Sequence, residues 1–505
     1  MTPTTNLKIW ILGTAFLWGT ACTKDVPAPP KVDNPEQPGT VTETEDKTTL
    51  DEGPIDFSAF SDTYGHLASP DLTASWAHYN VHDPAYLVDD KFVYAYNTDV
   101  AYGHAIRPGI QIRRSLNLVE WEFVGWARPG LPSQSSCFIR GRFGEPFDGL
   151  WAPYVIKVGA EYRLYYSHSS PQPRLSAIGL ATASSPKGPF RERGLVVTSL
   201  NNNTRQTNAI DPTVIIDKNG NHWMYYGSAW DGIYRLELNP ETGLAMRNED
   251  KGIRVAQRGF TGNGINGNLE GPEILYHPEF NQYYLFLSYD WLETKYNVRV
   301  GRSDSPVGPF YDLQGNNLNE DRDDMPMILA PYRFKGHGGW QGVSHPGVFE
   351  KSGRFYIGHQ GRPAVSPFSM VMHVRQLFWT PDGWPLVSSQ RYAGEEEAEV
   401  GLAEIAGNWE IIPFDYEVVP GYANEQRLPG FSDAVVVALT ADGGVSGALS
   451  GSWSYESPWL TLEVGSDSWK LRVERGRDWE QAKESTLLLT GMDAEGMAVW
   501  GKKIE

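Results

Sequence analysis

The sequence predicts an all-β chain, a five-bladed β-propeller followed by a small C-terminal antiparallel β-barrel or sandwich. Three observations carry this expectation. The 505 residues include 52 Gly, 35 Pro, 18 Trp and 25 Tyr but only 21% charged side chains, which suits many short strands joined by tight turns better than helices. A unit of proline, apolar strand, polar turn and aromatic strand recurs five times. From about residue 403 that unit gives way to short alternating runs separated by glycine-rich turns.

The first 22 residues have the order of an export signal: a lone Lys8, the apolar run "IWILGTAFLW", then small residues before Cys22. The run is too short to span a bilayer. Cys22 sits where a bacterial lipoprotein signal places its acylated cysteine, although Gly19 stands where such signals usually carry Leu. Export with a lipid anchor at Cys22 on the bacterial cell envelope is expected, and that anchor would be the only membrane contact. Cys137 is the only other cysteine, so acylation of Cys22 leaves no internal disulfide. Residues 23–54 are Pro-rich and polar and read as a flexible tether.

Residues 55–400 hold the repeat. Its copies are "VHDPAYLVDDKFVYAYNTD", "LWAPYVIKVGAEYRLYYSHS", "AIDPTVIIDKNGNHWMYYGS", "LEGPEILYHPEFNQYYLFLS" and "SHPGVFEKSGRFYIGHQG". Their prolines, Pro84, Pro153, Pro212, Pro272 and Pro346, lie 69, 59, 60 and 74 residues apart, a near-regular spacing that marks a repeat architecture. A second hairpin recurs as "IGLATASSPKGPF" (178–190) and "VRVGRSDSPVGPF" (298–310). Two hairpins per unit make a four-stranded sheet, and sheets of that size arranged radially make a propeller.

Proline cannot donate to a ladder and holds the preceding residue extended, so each proline is expected to open the innermost strand of its blade. The residues just before it then meet at one end of the central channel. They include His82 and Asp83, Trp151, Asp211, Glu270 and His345. Turn formation alone does not select three carboxylates, an indole and an imidazole, since Asn, Ser or Gly start turns equally well.

A formal net charge of -19 argues against nucleic acid as a partner, because that binding draws on clustered Lys and Arg. Aromatic faces with few charges suit a neutral glycan. Carboxylates sharing one site raise each other's pKa, so one can stay protonated while another stays charged. Glycoside hydrolysis uses that division: an acid protonates the departing oxygen and a base activates water. A separation of about 6.5–9.5 Å between them admits the water and gives inversion. No HExxH or GxSxG signature points to a zinc or serine hydrolase.

The motifs "HDP" (82–84), "WAP" (151–153), "NAIDP" (208–212), "YGS" (226–228), "EGP" (270–272) and "RQLFWTPDGWPLVSSQRYAGE" (375–395), in this order and in successive repeats, resemble glycoside hydrolase family 43. The likeness is to its extracellular endo-1,5-α-L-arabinanases with a C-terminal β domain. The resemblance implies Asp83 as general base, Glu270 as general acid and Asp211 as the residue that raises and orients the acid. It also implies a calcium ion in the channel near His345, held otherwise by water. Trp151 and Arg362 are candidates for holding the sugar, by stacking and by hydroxyl contacts, and Asn208 and Ser228, which match family positions near the site, are candidates for binding substrate or for orienting the carboxylates. The expected substrate is arabinan or its oligosaccharides, cleaved internally at α-1,5 links by a monomer. Two alternatives stand beside it: an exo-acting α-L-arabinofuranosidase or β-xylosidase of the same family, and a non-catalytic surface glycan-binding propeller, whose mark would be a missing acid.

The acidic loop "NNLNEDRDDMP" (316–326) lacks the glycine and terminal Glu spacing of an EF-hand and reads as solvated. "GEEEAEV" (394–400) reads as a connector. Residues 401–505 carry no acid or histidine cluster and read as a β domain for packing or for the substrate edge.

Overall fold

The computed structural model describes residues 48–50, 53–60, 76–102, 105–261, 264–265, 267–322, 324–415 and 430–504. The export signal, Cys22 and most of the expected tether lie outside them.

Four separate four-stranded antiparallel sheets follow one another along the chain, each with its strands in chain order. The first comprises Ala85–Asp89, Phe92–Asn97, Gln111–Ser115 and Glu122–Trp126, and the second Trp151–Val158, Glu161–His168, Ser176–Ala183 and Arg191–Ser199. The third comprises Thr213–Ile216, His222–Tyr226, Ile233–Leu238 and Ile253–Ala256, and the fourth Leu269–His277, Gln282–Tyr289, Asn297–Ser303 and Met327–Leu329. The aromatic second strands lie at the centre of each sheet and are buried almost throughout, which is why they carry runs such as "YYLFLS" rather than alternation.

The expected fifth separate blade is not found. The fifth repeat forms Gly347–Lys351, Arg354–Pro363, Val371–Trp379 and Pro385–Val387, but its ten-residue second strand outruns its five-residue partner. The surplus pairs with Trp340–Gln341, and pairing passes on to Tyr332–Arg333 and, in parallel, to Ser432–Asp433. Covering a long exposed edge in this way merges the repeat into a seven-stranded sheet. The first strands of the five repeats nevertheless touch in a closed cycle around one axis. The seam is sealed by the bridge between Tyr79 and Val371 and by hydrogen bonds from the Asn80 N–H to the Met370 carbonyl (2.8 Å) and from the Met372 N–H to the His78 carbonyl (2.7 Å).

The backbone before each proline also differs from expectation. Asp83, Ala152, Asp211, Gly271 and His345 are not extended; their φ angles are 49°, 26°, 58°, 54° and 58°. Proline excludes the right-handed helical region for its predecessor, and the left-handed region is open to Gly and tolerated by Asp and His. Each kink withdraws one N–H from its own sheet. That N–H is instead given to a neighbouring side chain: Ala152 to Thr98 Oγ1 (2.7 Å), Asp211 to Ser167 Oγ (3.0 Å), His345 to Ser288 Oγ (3.0 Å), and Asp83 to Gln360 Oε1 (3.0 Å). Thr98, Ser167, Ser288 and Gln360 lie in or just after the second strand of the preceding repeat, and Gln360 carries the scheme from the fifth repeat back to the first. Gly271 donates to Asp211 Oδ2 (3.1 Å).

The C-terminal domain is a closed barrel of eight sequentially paired antiparallel strands from Gly407–Pro413 to Ala498–Lys503, which decides between the two forms expected. Its interior is filled by Trp409, Leu460, Leu471 and Leu489, all fully buried. Ile412, Phe414 and Trp500 pack in a second cluster with Tyr332, Phe334 and Trp340, so the barrel is cemented to the merged sheet by apolar contact. At the other end of the chain, Thr48 and Thr49 hydrogen-bond Glu122 on the outer strand of the first sheet. Gly53 and Ile55 then line a cleft together with Lys91, Lys351 and Ser352, at the turns that end the first strands of the first and fifth repeats.

Glu273, three residues beyond Glu270, is buried in the channel wall and accepts the Val348 N–H (3.3 Å). Burial pushes its carboxyl from 4.5 up to about 8. The folded chain therefore holds a proton that the unfolded chain releases, so this contribution is complete below about pH 4.5 and is lost as pH rises to about 8. Glu273→Gln is expected to remove that slope. The melting temperature of the variant should gain on the wild type as pH is raised from about 5 to about 8; parallel curves would contradict the assignment.

Candidate active site

The five kinks open onto a cavity of about 450 Å³ whose walls include Asp83, Trp151, Asp211, Glu270, Tyr296 and His345. Four carboxylates line this space: Asp99 is engaged by the Gly109, Ile110 and Leu150 N–H groups, and the other three, from the first, third and fourth repeats, are placed by the repeat, each at or next to the kinked residue before a proline. Gly271 is required beside Glu270, because at φ 54° a Cβ would lie 3.0 Å from both His345 Nδ1 and Ser288 Oγ.

The acids are held differently. Asp83 Oδ1 meets His345 Nδ1 at 3.0 Å, and Oδ2 accepts from Thr98 Oγ1 at 2.6 Å and lies 3.5 Å from His82 Nδ1. Burial alone would raise the Asp83 carboxyl, but the charges of His345 and His82, with hydrogen bonds from His345 and Thr98, hold it far below the usual carboxylate range. For His345 burial works downward, yet Asp83, by charge and hydrogen bond, with Asp211 and Glu270 behind it, pushes the imidazole up to about 9. Burial holds His82 down to about 4 against the pull of Asp83.

Asp211 goes the other way. Burial lifts its carboxyl well above the ordinary value; His345 opposes this, and the negative charges of Glu270 and Asp83 reinforce it. Glu270 is oriented through both oxygens: Tyr296 OH donates to Oε1 at 2.8 Å and Ser228 Oγ to Oε2 at 2.7 Å.

Of the other expected residues, Trp151 lines the cavity and stacks on Phe147, with ring centroids 4.9 Å apart. Ser228 reaches Glu270 directly. Asn208 is not among the cavity-lining residues; its backbone bridges Ser228, and its Oδ1 accepts from Ser199. Arg362 is also outside the lining; it is buried and donates to the Pro367 carbonyl at 2.9 Å. Among the described residues no group of three or more His, Cys, Asp or Glu is placed to hold a metal ion. With Nδ1 of His345 engaged by Asp83, one ring nitrogen is left as a protein ligand, a poor match by itself for an oxygen-seeking cation.

Two functional contacts were missed from the sequence. Thr98 had a partly readable signal: Thr98, Ser167 and Gln360 each stand 14 residues after the proline of their repeat, and Ser228 and Ser288 stand 16 after theirs. Tyr296 had none: it is brought to Glu270 by a tight turn in which the Thr294, Lys295 and Tyr296 N–H groups all point to the Trp291 carbonyl.

Comparison with known proteins adds the following. Residues 77–385 match the family described as glycosyl hydrolases family 43, and residues 389–501 match a C-terminal lipocalin-like domain. The chain is 27% identical over 486 residues to an extracellular endo-α-(1→5)-L-arabinanase of Thermotoga petrophila, covering 87% of this chain and 96% of that protein. The crystal structure of the endo-1,5-α-L-arabinanase from Thermotoga petrophila superposes with a TM-score of 0.72 at 26% identity over 84% of this chain and 98% of that one. An extracellular exo-α-(1→5)-L-arabinofuranosidase of Cellvibrio japonicus is 28% identical over 325 residues, 62% of this chain and 87% of that protein. An α-L-arabinanase of Cellvibrio cellulosa complexed with arabinohexaose gives a TM-score of 0.52 at 26% identity over 61% of this chain and 95% of that one.

Thr98 is the joint between fold and site, since one hydroxyl both accepts the Ala152 N–H and donates to Asp83. Thr98→Val keeps the shape but orphans both partners, and is expected to lower unfolding free energy by about 1–3 kcal/mol in urea titrations. Thr98→Ser should stay within about 1 kcal/mol of wild type. A Thr98→Val variant as stable as wild type, with the loss falling on Thr98→Ser, would show that the methyl group, not the hydroxyl, matters.

Proposed function

The chain belongs to glycosyl hydrolases family 43, and from that premise we propose that it is an exported arabinanase cleaving internal α-1,5-L-arabinofuranosidic bonds with inversion. The observation that carries the reading is the convergence of Asp83, Asp211 and Glu270 on one cavity with Trp151 in its wall. Glu270 gives its proton to the glycosidic oxygen as the bond from that oxygen to the anomeric carbon breaks. Asp83 takes a proton from the water whose oxygen bonds to that carbon on the opposite face. A carboxylate with so little proton affinity suffices, because water becomes strongly acidic as it bonds to an oxocarbenium-like sugar. Ser228 and Tyr296 fix the direction in which Glu270 points, and Asp211 accepts the N–H of Gly271, the residue after it.

The endo mode is supported by likeness to the Thermotoga petrophila enzyme, and the exo relative supplies the competing reading. Export is supported by the extracellular relatives and by the first 22 residues, with Cys22 as the proposed anchor point. A calcium ion beside His345 remains part of the proposal, held chiefly by water and supplying positive charge near the acids. EDTA is then expected to lower the melting temperature and calcium to restore it; a melting curve unmoved by either would remove the ion from the account.

Glu270→Ala is expected to reduce hydrolysis of linear arabinan by at least about 10³-fold while arabino-oligosaccharide binding persists in calorimetry. With the wild type, viscosity should fall early and mixed oligomers should appear. Arabinose accumulating alone from the first minutes would favour the exo reading, and undiminished turnover by the alanine variant would reject Glu270 as the acid.

A further inference from the structure

A second pocket, of about 300 Å³, adjoins the Glu270 strand and is lined by Arg174, Arg205, Trp230, Asp231 and Leu269 among others. Two stretches of backbone connect it to the catalytic cavity. Ser228, which donates to Glu270, is followed at once by Ala229 and Trp230, and Leu269 immediately precedes Glu270. The stretches are tied together by the hydrogen bond from the Ala229 N–H to the Leu269 carbonyl (2.8 Å).

Trp230, 44% exposed, is the one tryptophan among the exposed large apolar side chains of the described residues, and it lines this cleft. Ala229 and Trp230 have φ angles of 52° and 53°, two consecutive left-handed residues without a glycine, a backbone that bulky side chains avoid and that recurs where a structure serves a site. The turn is pinned: Gly232 N–H returns to the Ala229 carbonyl (3.0 Å), and Asp231 Oδ1 is clamped by Arg205 Nε (2.5 Å) and Arg254 Nη1 (2.7 Å). The indole is therefore presented from a rigid support.

The basic groups around it are held by protein partners. Arg205 and Arg254 share Asp231, while Arg174 spends its donors on the carbonyls of Leu200, Gln206 and Asn202, with its guanidinium carbon 5.2 Å from the indole centroid. An aromatic face edged by fixed polar groups suits a neutral, hydroxyl-bearing ring, whose C–H face stacks on the indole.

We propose that Trp230 is the platform of a separate sugar subsite that binds a pentofuranosyl unit removed from the scissile bond, on a chain already engaged at Glu270. The proposal rests on the arabinan reading above. It makes Trp230 a determinant of chain-length preference.

The test compares kcat/KM on arabinotriose and arabinohexaose. Trp230→Ala is expected to lose roughly tenfold more on the hexaose than on the triose, with the loss in KM rather than kcat. Trp230→Tyr, which keeps an aromatic face, should recover most of it. Calorimetry of arabinohexaose with the Glu270→Gln protein, with and without Trp230→Ala, should show the same difference in affinity. A wild-type length preference in the alanine variant, or a tyrosine variant as impaired as the alanine one, would overturn the subsite while leaving the arabinan reading intact. Failure of the unmodified enzyme to cleave any arabino-oligosaccharide would instead sink both.

Discussion

The residue before each repeat's proline has an N–H that its own sheet cannot use, and the channel mouth is built around where that N–H goes. Burying it unpaired would cost about 1–3 kcal/mol at each repeat. Four of the five are answered by a hydroxyl or amide from the preceding repeat, and the fifth, at Gly271, by the carboxylate of Asp211. The bonds that hold neighbouring sheets in angular register are thus also bonds to the site. Ring closure and placement of the acids become one problem with one solution.

The same economy governs charge. Asp83 and Asp211 occupy equivalent positions two repeats apart, are both buried, and are shifted in opposite directions. The difference is in partners: Asp83 has His345, His82 and Thr98, whereas Asp211 faces the negative charge of its neighbours and accepts the Gly271 N–H. A symmetric backbone thereby yields chemically distinct carboxyls. The fifth repeat contributes the imidazole that makes the difference, so its merger into a larger sheet leaves the geometry of its inner strand intact.

Much of this was legible from spacing. Five prolines at near-regular intervals announced the ring, and the residues beside them named all three acids and His345, because a repeat converts sequence position into spatial position. What lay outside the repeat was not legible. Whether the fifth unit stands alone depends on the length of Arg354–Pro363 relative to Gly347–Lys351, a tertiary matter of which edge is left bare. The left-handed backbone was misread because proline's exclusion of one region was taken to select the extended one. The side chains of Asn208 and Arg362 are engaged by Ser199 and by the Pro367 carbonyl, partners that no spacing in the sequence indicates. Tyr296 is one of 25 tyrosines, and only the turn at Trp291 singles it out.

Gly53 and Ile55 line a cleft shared with the turns at Lys91 and Lys351–Ser352, at the opposite end of the inner strands from Asp83 and His345. The amino-terminal segment therefore reaches the ring from the side away from the reactive opening. Polymer can enter at the acids without passing that segment.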